Sequence, residues 1–378
     1  MNLLLLLTFG NSLDYWKKNN ILDREILPYK ELFKLGVSTK IFSFGNELDE
    51  NKIALKNIKL ITIFKKRKKR SKAILFLSSI IFILKHKNRI KCDLIKTNQV
   101  WGGFIAVILK KIIKSPLLIR AGWEPYLQTS KYNKNFFKLF IYYINSYISY
   151  KYSDHIIVSS NHIKEFIVST FKINSSKITI INNYIDTNIF YNKIIDTIRI
   201  PNRILFVGRL SKQKNISELI KAISYTKFGL DIIGDGKEKN KLINLVKKNN
   251  LNVKFLGKIQ NDKLADYYNK YRVYILPSLV EGNPKSLLEA MSCGCAVICS
   301  DVDGNNSIIK HKYNGYLTKT DKISIYNSIN EIMKNETLRY ELRKNSIEFI
   351  RKKCDLNKNL ILEKKIYQSL INVKKTFY

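Results

Sequence analysis

The sequence predicts an α/β protein built from two doubly wound parallel sheets. Short apolar runs alternate with longer segments of helical periodicity from residue 3 to about residue 170, and the alternation starts again at residue 203. Such alternation is typical of parallel strands joined by crossover helices. A chain of 378 residues is also long enough for two domains with separate cores. We therefore expect two α/β domains facing each other across a cleft, with residues 186–201 as a polar linker.

The first alternation supplies six predicted strands. The run at residues 3–7 follows no basic residue and is short for a signal peptide, so we expect a buried strand there. Helical periodicity at residues 100–113 and 161–170 predicts two of the intervening helices. The predicted strands are residues 3–7, 38–42, 58–64, 93–97, 117–119 and 155–158.

The second alternation predicts five strands and four helices, followed by consecutive amphipathic helices over residues 321–378. Asn215 is expected to cap the helix that starts at Ile216, with Glu218 completing a capping-box-like pair. The predicted strands are residues 203–207, 230–233, 253–256, 273–276 and 295–299, and the predicted helices are residues 216–225, 237–248, 262–269 and 285–293.

The charge balance of the chain is strongly basic. It has 67 Lys and Arg against 30 Asp and Glu, a formal net charge of +37. An excess of this size indicates an anionic partner, and nucleic acid, anionic lipid and nucleotide sugar all qualify. The chain is also rich in Lys, Asn and Ile together, a bias that an AT-rich genome produces without selection for binding. Both explanations of the overall excess stay open at this point.

A local basic cluster is more specific than the overall charge. Six basic residues at positions 65–70 precede a twelve-residue apolar run at positions 73–84, which is shorter than the roughly 20 residues needed to cross a bilayer. The run therefore predicts a buried or interfacial helix. Basic flanks suit an anionic membrane surface. A solvated loop and a nucleic-acid patch are the alternatives, but the chain has no nucleic-acid motif, so we expect a membrane surface and no nucleic acid as partner.

Cysteine and histidine usage argues against a disulfide scaffold and against a zinc site. The five cysteines are an odd number without scaffold spacing, which fits a reducing cytoplasm, and the four histidines are scattered. Asp301 and Asp303 form a D-x-D pair, but they follow a predicted strand and precede a glycine. We expect a polar turn there and no bound metal.

Two segments carry the pattern of an anion site. Glu281 and Glu289 surround a turn, Gly282-Asn283-Pro284, whose proline suits the first position of a helix. Free backbone N–H groups of Lys285 and Ser286 would then leave the carboxyl edge of a parallel sheet, where the helix dipole favours phosphate. The second segment, ILFVGRLSKQKNISELIKAI at residues 204–223, places a basic loop between a buried strand and a helix.

These two segments together resemble the retaining GT-B glycosyltransferases of family 4. PSLVEGNPKSLLEAMSCG contains the E-x7-E signature of that family, and GRLSKQKN is similar to its diphosphate clamp. The resemblance implies that Glu281 lies beside the donor sugar and its phosphates and that Glu289 accepts hydrogen bonds from the nucleotide ribose. It implies that Arg209 and Lys214 stabilise the charge that develops on the leaving diphosphate.

The resemblance extends to further residues on both sides of the expected cleft. Gly10, in the loop after the first strand, is expected near the donor phosphates. Trp123 and Glu124 are expected on the acceptor side. In the same segment, residues 118–126, many family members carry a histidine that contacts the donor sugar, and this chain has none there. Besides Glu289, the residues expected to bind the donor are Gly208, Gly234, Lys258, Gly282, Asn283, Pro284, Lys285, Ser286 and Gly10.

The implied fold is GT-B, with two Rossmann-like domains and a final helix that crosses back to the first. We expect an acceptor-binding domain over residues 1–190, a donor-binding domain over residues 201–352 and the final helix over residues 353–378. The implied reaction moves a sugar from a nucleotide diphosphate sugar to a saccharide or lipid-linked saccharide, without a metal or other cofactor. It would belong to surface polysaccharide biosynthesis on the cytoplasmic face of the membrane. A nucleotide-sugar epimerase of related architecture and a basic RNA-binding protein are the alternatives.

Overall fold

A computed structural model describes residues 1–51, 53, 55–65, 71–130, 135–194 and 198–377, with side chains described as far as residue 373. The chain divides into two compact units. The first comprises Met1–Ile181 with Asn359–Tyr378, and the second comprises Asn182–Lys358. Each unit contains one wholly parallel sheet between helices, which confirms the predicted α/β class with two doubly wound sheets.

The first unit is built on a seven-stranded sheet in the order β3-β2-β1-β4-β5-β6-β7. Leu3 to Leu6 are completely buried in the interior strand β1, because parallel strands covered by helices on both faces need continuous apolar runs. All six predicted strands are present, with a short seventh at the edge. The strands are β1 (Asn2–Leu6), β2 (Ser38–Asn46), β3 (Ile58–Phe64), β4 (Leu94–Thr97), β5 (Leu117–Ala121), β6 (His155–Val158) and β7 (Ile178–Ile180).

Nine helices precede residue 172 in the described part of the first unit. Both helices expected from periodicity are present, whereas the periodicity analysis did not identify the helices before Ser38 or the long helix after residue 135. The helices are α1 (Leu13–Lys18), α2 (Leu22–Lys34), α3 (Glu47–Glu50), α4 (Lys72–Lys85), α5 (Lys87–Ile90), α6 (Gly103–Ile113), α7 (Pro125–Ser130), α8 (Phe136–Tyr152) and α9 (Asn161–Phe171).

Helix α4 is the apolar run that follows the basic cluster, and it is largely exposed. Only Ser79 and Ile83 are buried on it, so the expectation of a buried helix is wrong and the interfacial alternative remains. Residues 66–70 of the cluster lie outside the described residues. Within the described ranges, no helix combines the length and apolar character needed to cross a bilayer.

The second unit is built on a six-stranded parallel sheet in the order β10-β9-β8-β11-β12-β13. All five strands expected here are present, together with β13. The strands are β8 (Ile200–Val207), β9 (Gly229–Ile233), β10 (Val253–Gly257), β11 (Tyr271–Leu276), β12 (Ala296–Ser300) and β13 (Tyr316–Thr318). The helices are α10 (Ile216–Ile223), α11 (Lys239–Lys248), α12 (Asn261–Lys270), α13 (Lys285–Ser292), α14 (Asp303–Asn306), α15 (Lys322–Lys334), α16 (Glu336–Lys353) and α17 (Leu356–Phe377).

The start of α10 differs from the predicted capping box. Asn215 has a left-handed backbone conformation, with φ of 55°, because it ends the 3₁₀ turn Lys212–Lys214. Its side chain makes no capping bond and instead donates to the carbonyl oxygen of Thr320 at 2.8 Å. The expected pair with Glu218 is therefore wrong, since an asparagine at this backbone angle directs its amide away from the helix.

Helix α17 begins in the second unit, and from Asn359 onward it belongs to the first. Its Glu363 carboxylate lies 2.5 Å from the ammonium of Lys96 on β4, and both side chains are buried, at 0% and 3% exposure. The hydroxyl of Tyr367 donates to the same carboxylate at 2.6 Å. Arg120 on β5 approaches its other oxygen at 3.8 Å. A buried carboxylate is thus matched by cations from two neighbouring strands.

We predict that Glu363→Gln destabilises the protein by about 3–5 kcal/mol, because Lys96 then remains buried without its counter-charge. Urea unfolding measures the loss. The exposed pair Lys352–Glu348, also 2.5 Å apart, provides the matched control, and Glu348→Gln should leave the unfolding midpoint unchanged. The double variant Lys96→Met, Glu363→Leu should recover part of the lost stability, because it removes the unmatched charge of Lys96 but places an apolar side chain opposite Arg120. Equal effects of the two single variants would contradict the prediction.

Candidate functional site

The two predicted anion-binding segments emerge side by side in the second unit. Strands β8 and β11 are parallel neighbours, so their carboxyl ends meet at one edge of the sheet. Gly208 follows β8, and the Pro277–Pro284 loop follows β11 and leads into α13. Ligands of doubly wound sheets bind at this edge.

Gln213 ties the two loops together. Its carbonyl oxygen accepts a hydrogen bond from the backbone N–H of Leu279 at 2.8 Å, and its side-chain amide donates to the carbonyl oxygen of Val280 at 2.7 Å. These bonds place Lys214 next to Glu281, with ammonium and carboxylate 2.5 Å apart. Both side chains are mostly buried, at 14% and 7% exposure. The structure therefore joins the predicted clamp lysine and the predicted sugar-side glutamate as a direct ion pair, and sequence spacing did not indicate the role of Gln213.

Glycines allow three loops to meet beside this pair. The backbone N–H of Gly208 donates to the carbonyl oxygen of Ile233 at 3.0 Å, and the backbone N–H of Gly234 donates to the carbonyl oxygen of Gly257 at 2.7 Å. Gly234 has φ of 144°, and a Cβ there would overlap the carbonyl oxygen of Gly208. Only glycine fits such an approach without displacement of the backbone. Gly304 has a comparable role that sequence reasoning missed, since a Cβ there would overlap the carbonyl oxygen of Glu281.

Cationic side chains project from these loops. Arg209 follows Gly208 directly and is exposed, and among the residues that the structure describes none forms a hydrogen bond or ion pair with its guanidinium. Lys258 follows Gly257 and is also exposed. Arg209 thus offers its five N–H donors to an anionic ligand in the surrounding solution.

Glu289 lies in the second turn of α13 and is buried, at 2% exposure. Its carboxylate accepts a hydrogen bond from the hydroxyl of Tyr268 at 3.0 Å. Burial, followed by the nearby Glu289 carboxylate, raises the pKa of Tyr268 well above its usual value. The tyrosine therefore stays protonated and continues to donate. Tyr268 holds the carboxylate in one orientation, a contribution that the sequence pattern did not indicate.

The turn before α13 is anchored from the start of the second unit. The side-chain amide of Asn183 donates to the carbonyl oxygen of Asn283 at 2.6 Å. We expected Pro284 at the first helical position, but it is the N-cap residue, one position earlier. Lys285 and Ser286 open the helix. The hydroxyl of Ser286 accepts a hydrogen bond from the buried Tyr274 at 2.9 Å. The turn and the helix start are therefore fixed in place.

The D-x-D pair lies at the end of β12. The carboxylate of Asp301 accepts a hydrogen bond from the side-chain amide of Asn306 at 2.6 Å, and Asp303 opens the short helix α14. Asp301 and Asp303 thus have the contacts of a polar turn at the end of a strand.

The candidate residues of the first unit are less uniform. Gly10 is exposed after β1 and has φ of 84°. The backbone N–H of Trp123 donates to Gln99 at 3.2 Å, and its side chain is half-buried. Glu124, in contrast, is completely buried and accepts hydrogen bonds from the N–H of Leu127 at 2.5 Å and from Ser146 at 2.6 Å. We expected Glu124 to face an acceptor, but its carboxylate instead joins the start of α7 to α8.

Family comparisons agree with this architecture. The family model for "Glycosyltransferase Family 4" matches residues 29–189, and the model for "Glycosyl transferases group 1" matches residues 193–353. The two consecutive matches assign these two segments of the chain to glycosyltransferase families. Most of the first match, up to residue 181, lies in the unit that contains Gly10 and Glu124. The second match includes the Lys214–Glu281 pair and Glu289.

Curated relatives share part of their length with this chain. An uncharacterised glycosyltransferase of Methanocaldococcus jannaschii is 34% identical over 58% of the chain and 60% of that relative. The N-acetylgalactosamine-N,N'-diacetylbacillosaminyl-diphospho-undecaprenol 4-alpha-N-acetylgalactosaminyltransferase of Campylobacter jejuni is 30% identical over 55% of the chain and 58% of that relative. The aligned part thus spans less than two thirds of either relative.

A solved structure agrees with the fold over nearly the whole chain. Sucrose-phosphate synthase of Thermosynechococcus elongatus superposes with a TM-score of 0.85, covering 99% of this chain and 100% of that chain. Its sequence identity is 18%, so this likeness concerns the fold alone.

We predict that Glu124 makes the stability of this protein pH-dependent. Burial raises the pKa of the Glu124 carboxyl from 4.5 to about 7, against the opposing effect of its hydrogen bonds. The folded protein therefore binds this proton more tightly than the unfolded chain, and the free energy of unfolding falls as pH rises through that interval. Glu124→Gln should flatten this slope in urea titrations, whereas the exposed Glu341→Gln should retain it. A wild-type slope in Glu124→Gln would contradict the prediction.

Proposed function

We propose that this protein transfers a sugar from a nucleotide diphosphate sugar to a hydroxyl of a saccharide or lipid-linked saccharide, with retention of anomeric configuration. The observation that carries the proposal is the Lys214–Glu281 ion pair, 2.5 Å across, at the carboxyl edge of a doubly wound sheet. Beside it stand the exposed Arg209 and the N-terminus of α13. This combination suits a ligand that joins a diphosphate to a neutral sugar.

The diphosphate is assigned to the cationic side of the site. Arg209 offers a planar fork that matches phosphate oxygens, and Lys214 supplies a compact charge. The backbone N–H groups of Lys285 and Ser286 add donors at a helix N-terminus. Negative charge grows on the diphosphate as the sugar bond breaks, so these groups stabilise the transition state more than the ground state. Cationic side chains in this arrangement do the work that a metal ion does elsewhere, and we propose a reaction without metal.

The carboxylates are assigned to the sugar and the ribose. Glu281 holds the ammonium of Lys214 in a defined position and presents its remaining oxygen to the sugar side. Glu289, oriented by Tyr268, accepts hydrogen bonds from the ribose hydroxyls. Retention follows if the departing phosphate takes the acceptor proton on the same face of the sugar ring, and no glutamate then serves as nucleophile. Because Gly234 and Gly208 have no side chain, the nucleotide can approach the backbone of their loops.

The acceptor is proposed to be a growing saccharide on a lipid carrier, in surface polysaccharide biosynthesis. The name of the Campylobacter relative specifies a diphospho-undecaprenol-linked acceptor for that protein. In this chain, the basic residues around α4 support an encounter with an anionic membrane. We therefore propose a peripheral position on the cytoplasmic face of the membrane and no nucleic acid as partner.

Thermal shift against UDP-, GDP-, ADP- and dTDP-sugars tests the proposal. We expect one donor class to raise the melting temperature, because a ligand at 100 times its dissociation constant stabilises the folded state by about 2.7 kcal/mol. Arg209→Ala and Lys214→Ala should remove most of the shift, and Lys247→Ala, on the exposed side of α11, should preserve it.

The outcomes separate the candidate activities. Failure of every nucleotide sugar to stabilise a folded sample contradicts the proposal. Conversion of the donor without any acceptor indicates an epimerase. Tight oligonucleotide binding with a steep salt dependence and no donor response indicates an RNA-binding protein.

We predict that Glu289→Gln weakens donor binding at least tenfold, about 1.4 kcal/mol, while the melting temperature stays near that of the wild type. The amide oxygen still accepts the hydrogen bond from Tyr268, so the fold is preserved, but the charge that attracts the ribose hydroxyls is lost. Tyr268→Phe is the matched control for orientation, since it keeps the charge and removes the donor. Isothermal titration with the stabilising nucleotide measures both variants. Unchanged affinity in Glu289→Gln would contradict the role of ribose anchor.

A further inference from the structure

Helix α4 carries an apolar stripe on its exposed face. Ile74, Leu77, Ile81 and Leu84 follow one another at spacings of three and four residues, and their exposures are 48%, 58%, 53% and 57%. Residues at these spacings lie on one side of a helix. Isolated exposed apolar residues are normal, but a contiguous row of four long aliphatic side chains marks an interaction surface.

A second exposed apolar group lies at the start of α8. Phe136 and Phe137 are 80% and 72% exposed, and Phe140 is 51% exposed. The rings of Phe136 and Phe140 stack with their centroids 6.3 Å apart. These aromatic side chains project into solvent at the beginning of the helix, where Asn135 provides the cap.

A chain of aromatic contacts connects the two groups. Phe76 on α4 contacts Phe104 on α6, with ring centroids 5.4 Å apart. Phe104 contacts Trp101 at 6.2 Å, and Trp101 contacts Tyr142 on α8 at 5.2 Å. Packed rings therefore connect α4 to α8 through α6 within the first unit.

The charged residues around this surface are cationic. The chain has no acidic residue between Glu50 and Asp93. The ammonium of Lys72 lies 5.9 Å from the ring centre of Trp101, and that of Lys138 lies 5.8 Å from the ring centre of Tyr142. The exposed basic residues that follow the stripe are Lys85, Lys87, Arg89 and Lys91. Lysine is depleted at protein interfaces, whereas apolar side chains with Lys and Arg beside them are typical of helices that lie in a membrane surface.

We propose that the apolar stripe of α4 and the aromatic start of α8 form one docking surface for an anionic lipid bilayer. Ile74, Leu77, Ile81 and Leu84 enter the boundary between headgroups and acyl chains together with the α8 phenylalanines, and the neighbouring lysines contact anionic headgroups. Helix α4 is about 21 Å long at 1.5 Å per residue, so it lies along the bilayer and does not cross it.

The docking surface also lies beside the loop that follows β1. Leu75 on α4 is the side chain next to Gly10, with its Cδ2 3.9 Å from the position of a Cβ on that glycine. A bilayer that contacts α4 would therefore lie close to the loop that we assign to the substrates. The docking surface rests on the proposed function, because a lipid-linked acceptor lies at the bilayer. It is the surface that would bring the enzyme to such an acceptor.

Sedimentation of the full-length protein with phosphatidylcholine vesicles, with and without phosphatidylglycerol, tests the docking surface. We expect binding that requires the anionic lipid. Leu77→Ser, Ile81→Ser, Leu84→Ser as a triple variant should weaken it by about tenfold or more, because three aliphatic side chains no longer enter the bilayer. Phe136→Ser, Phe137→Ser should weaken it similarly. Lys85→Glu, Lys87→Glu should also weaken vesicle binding, mainly at low salt, by about fivefold or more for each charge.

Matched controls come from the second unit. Ile323→Ser, Tyr340→Ser replaces two equally exposed apolar residues, and Lys247→Glu, Lys248→Glu reverses two exposed lysines of α11. Both double variants should bind vesicles as the wild type does. All substituted positions are exposed, and wild-type melting temperatures confirm that the variants are folded.

Several results would overturn the inference. They are failure of the wild type to bind anionic vesicles, wild-type binding by the triple variant, and a dimer in solution that the triple variant converts to a monomer. Oligonucleotide binding that the lysine variant abolishes, with vesicle binding unaffected, would do the same. The donor-induced thermal shift is measured in parallel without vesicles. If no donor raises the melting temperature of the wild type, the proposed function is contradicted and the docking surface stands. If a variant that no longer binds vesicles still shows the donor-induced shift, the proposed function and the docking surface are both supported.

Discussion

The candidate site depends on how closely two loops approach each other at the edge of the second sheet. Gln213 connects them through its backbone and its side chain, and the consequence is the 2.5 Å contact between Lys214 and Glu281. Because both side chains are mostly buried, the opposite charges of Lys214 and Glu281 partly neutralise each other and hold each other in fixed positions. In the proposed reaction, this fixed position lets Lys214 meet the negative charge that grows on the leaving diphosphate.

Glycine makes this approach possible. A side chain at Gly234 or Gly304 would collide with the backbone that carries Gly208 or Glu281, so either substitution would separate the loops. Tyr268 performs the corresponding task for Glu289, since a buried hydroxyl that cannot ionise fixes the orientation of a buried carboxylate. The groups proposed to touch a ligand are thus supported by residues outside the proposed contacts. In the first unit, buried carboxylates serve stability instead: Glu363 joins α17 to the sheet, and Glu124 joins two helices.

Much of the fold could be predicted, because parallel strands buried on both faces require continuous apolar runs. All eleven predicted strands are present, from Asn2–Leu6 to Ala296–Ser300. Elements without strong periodicity were missed: α2 contains Pro28, and α8 is apolar or aromatic on several faces. The capping role of Asn215 was wrong because its backbone angle is set by the 3₁₀ turn before it, which local spacing does not reveal. The exposure of α4 was also open, since hydropathy alone does not distinguish a helix that faces a core from one that faces a membrane.

The sequence by itself determined the α/β class, the two sheets and the two segments that carry Arg209, Lys214, Glu281 and Glu289, since apolar periodicity and turn chemistry are local properties of the chain. Only the tertiary structure decided which of these residues meet. The pairing of Lys214 with Glu281, the support of Glu289 by Tyr268 and the burial of Glu124 join residues that are 67, 21 and 22 positions apart along the chain. Such contacts follow from strand order and loop packing, which fix distances between side chains that the order of residues leaves free.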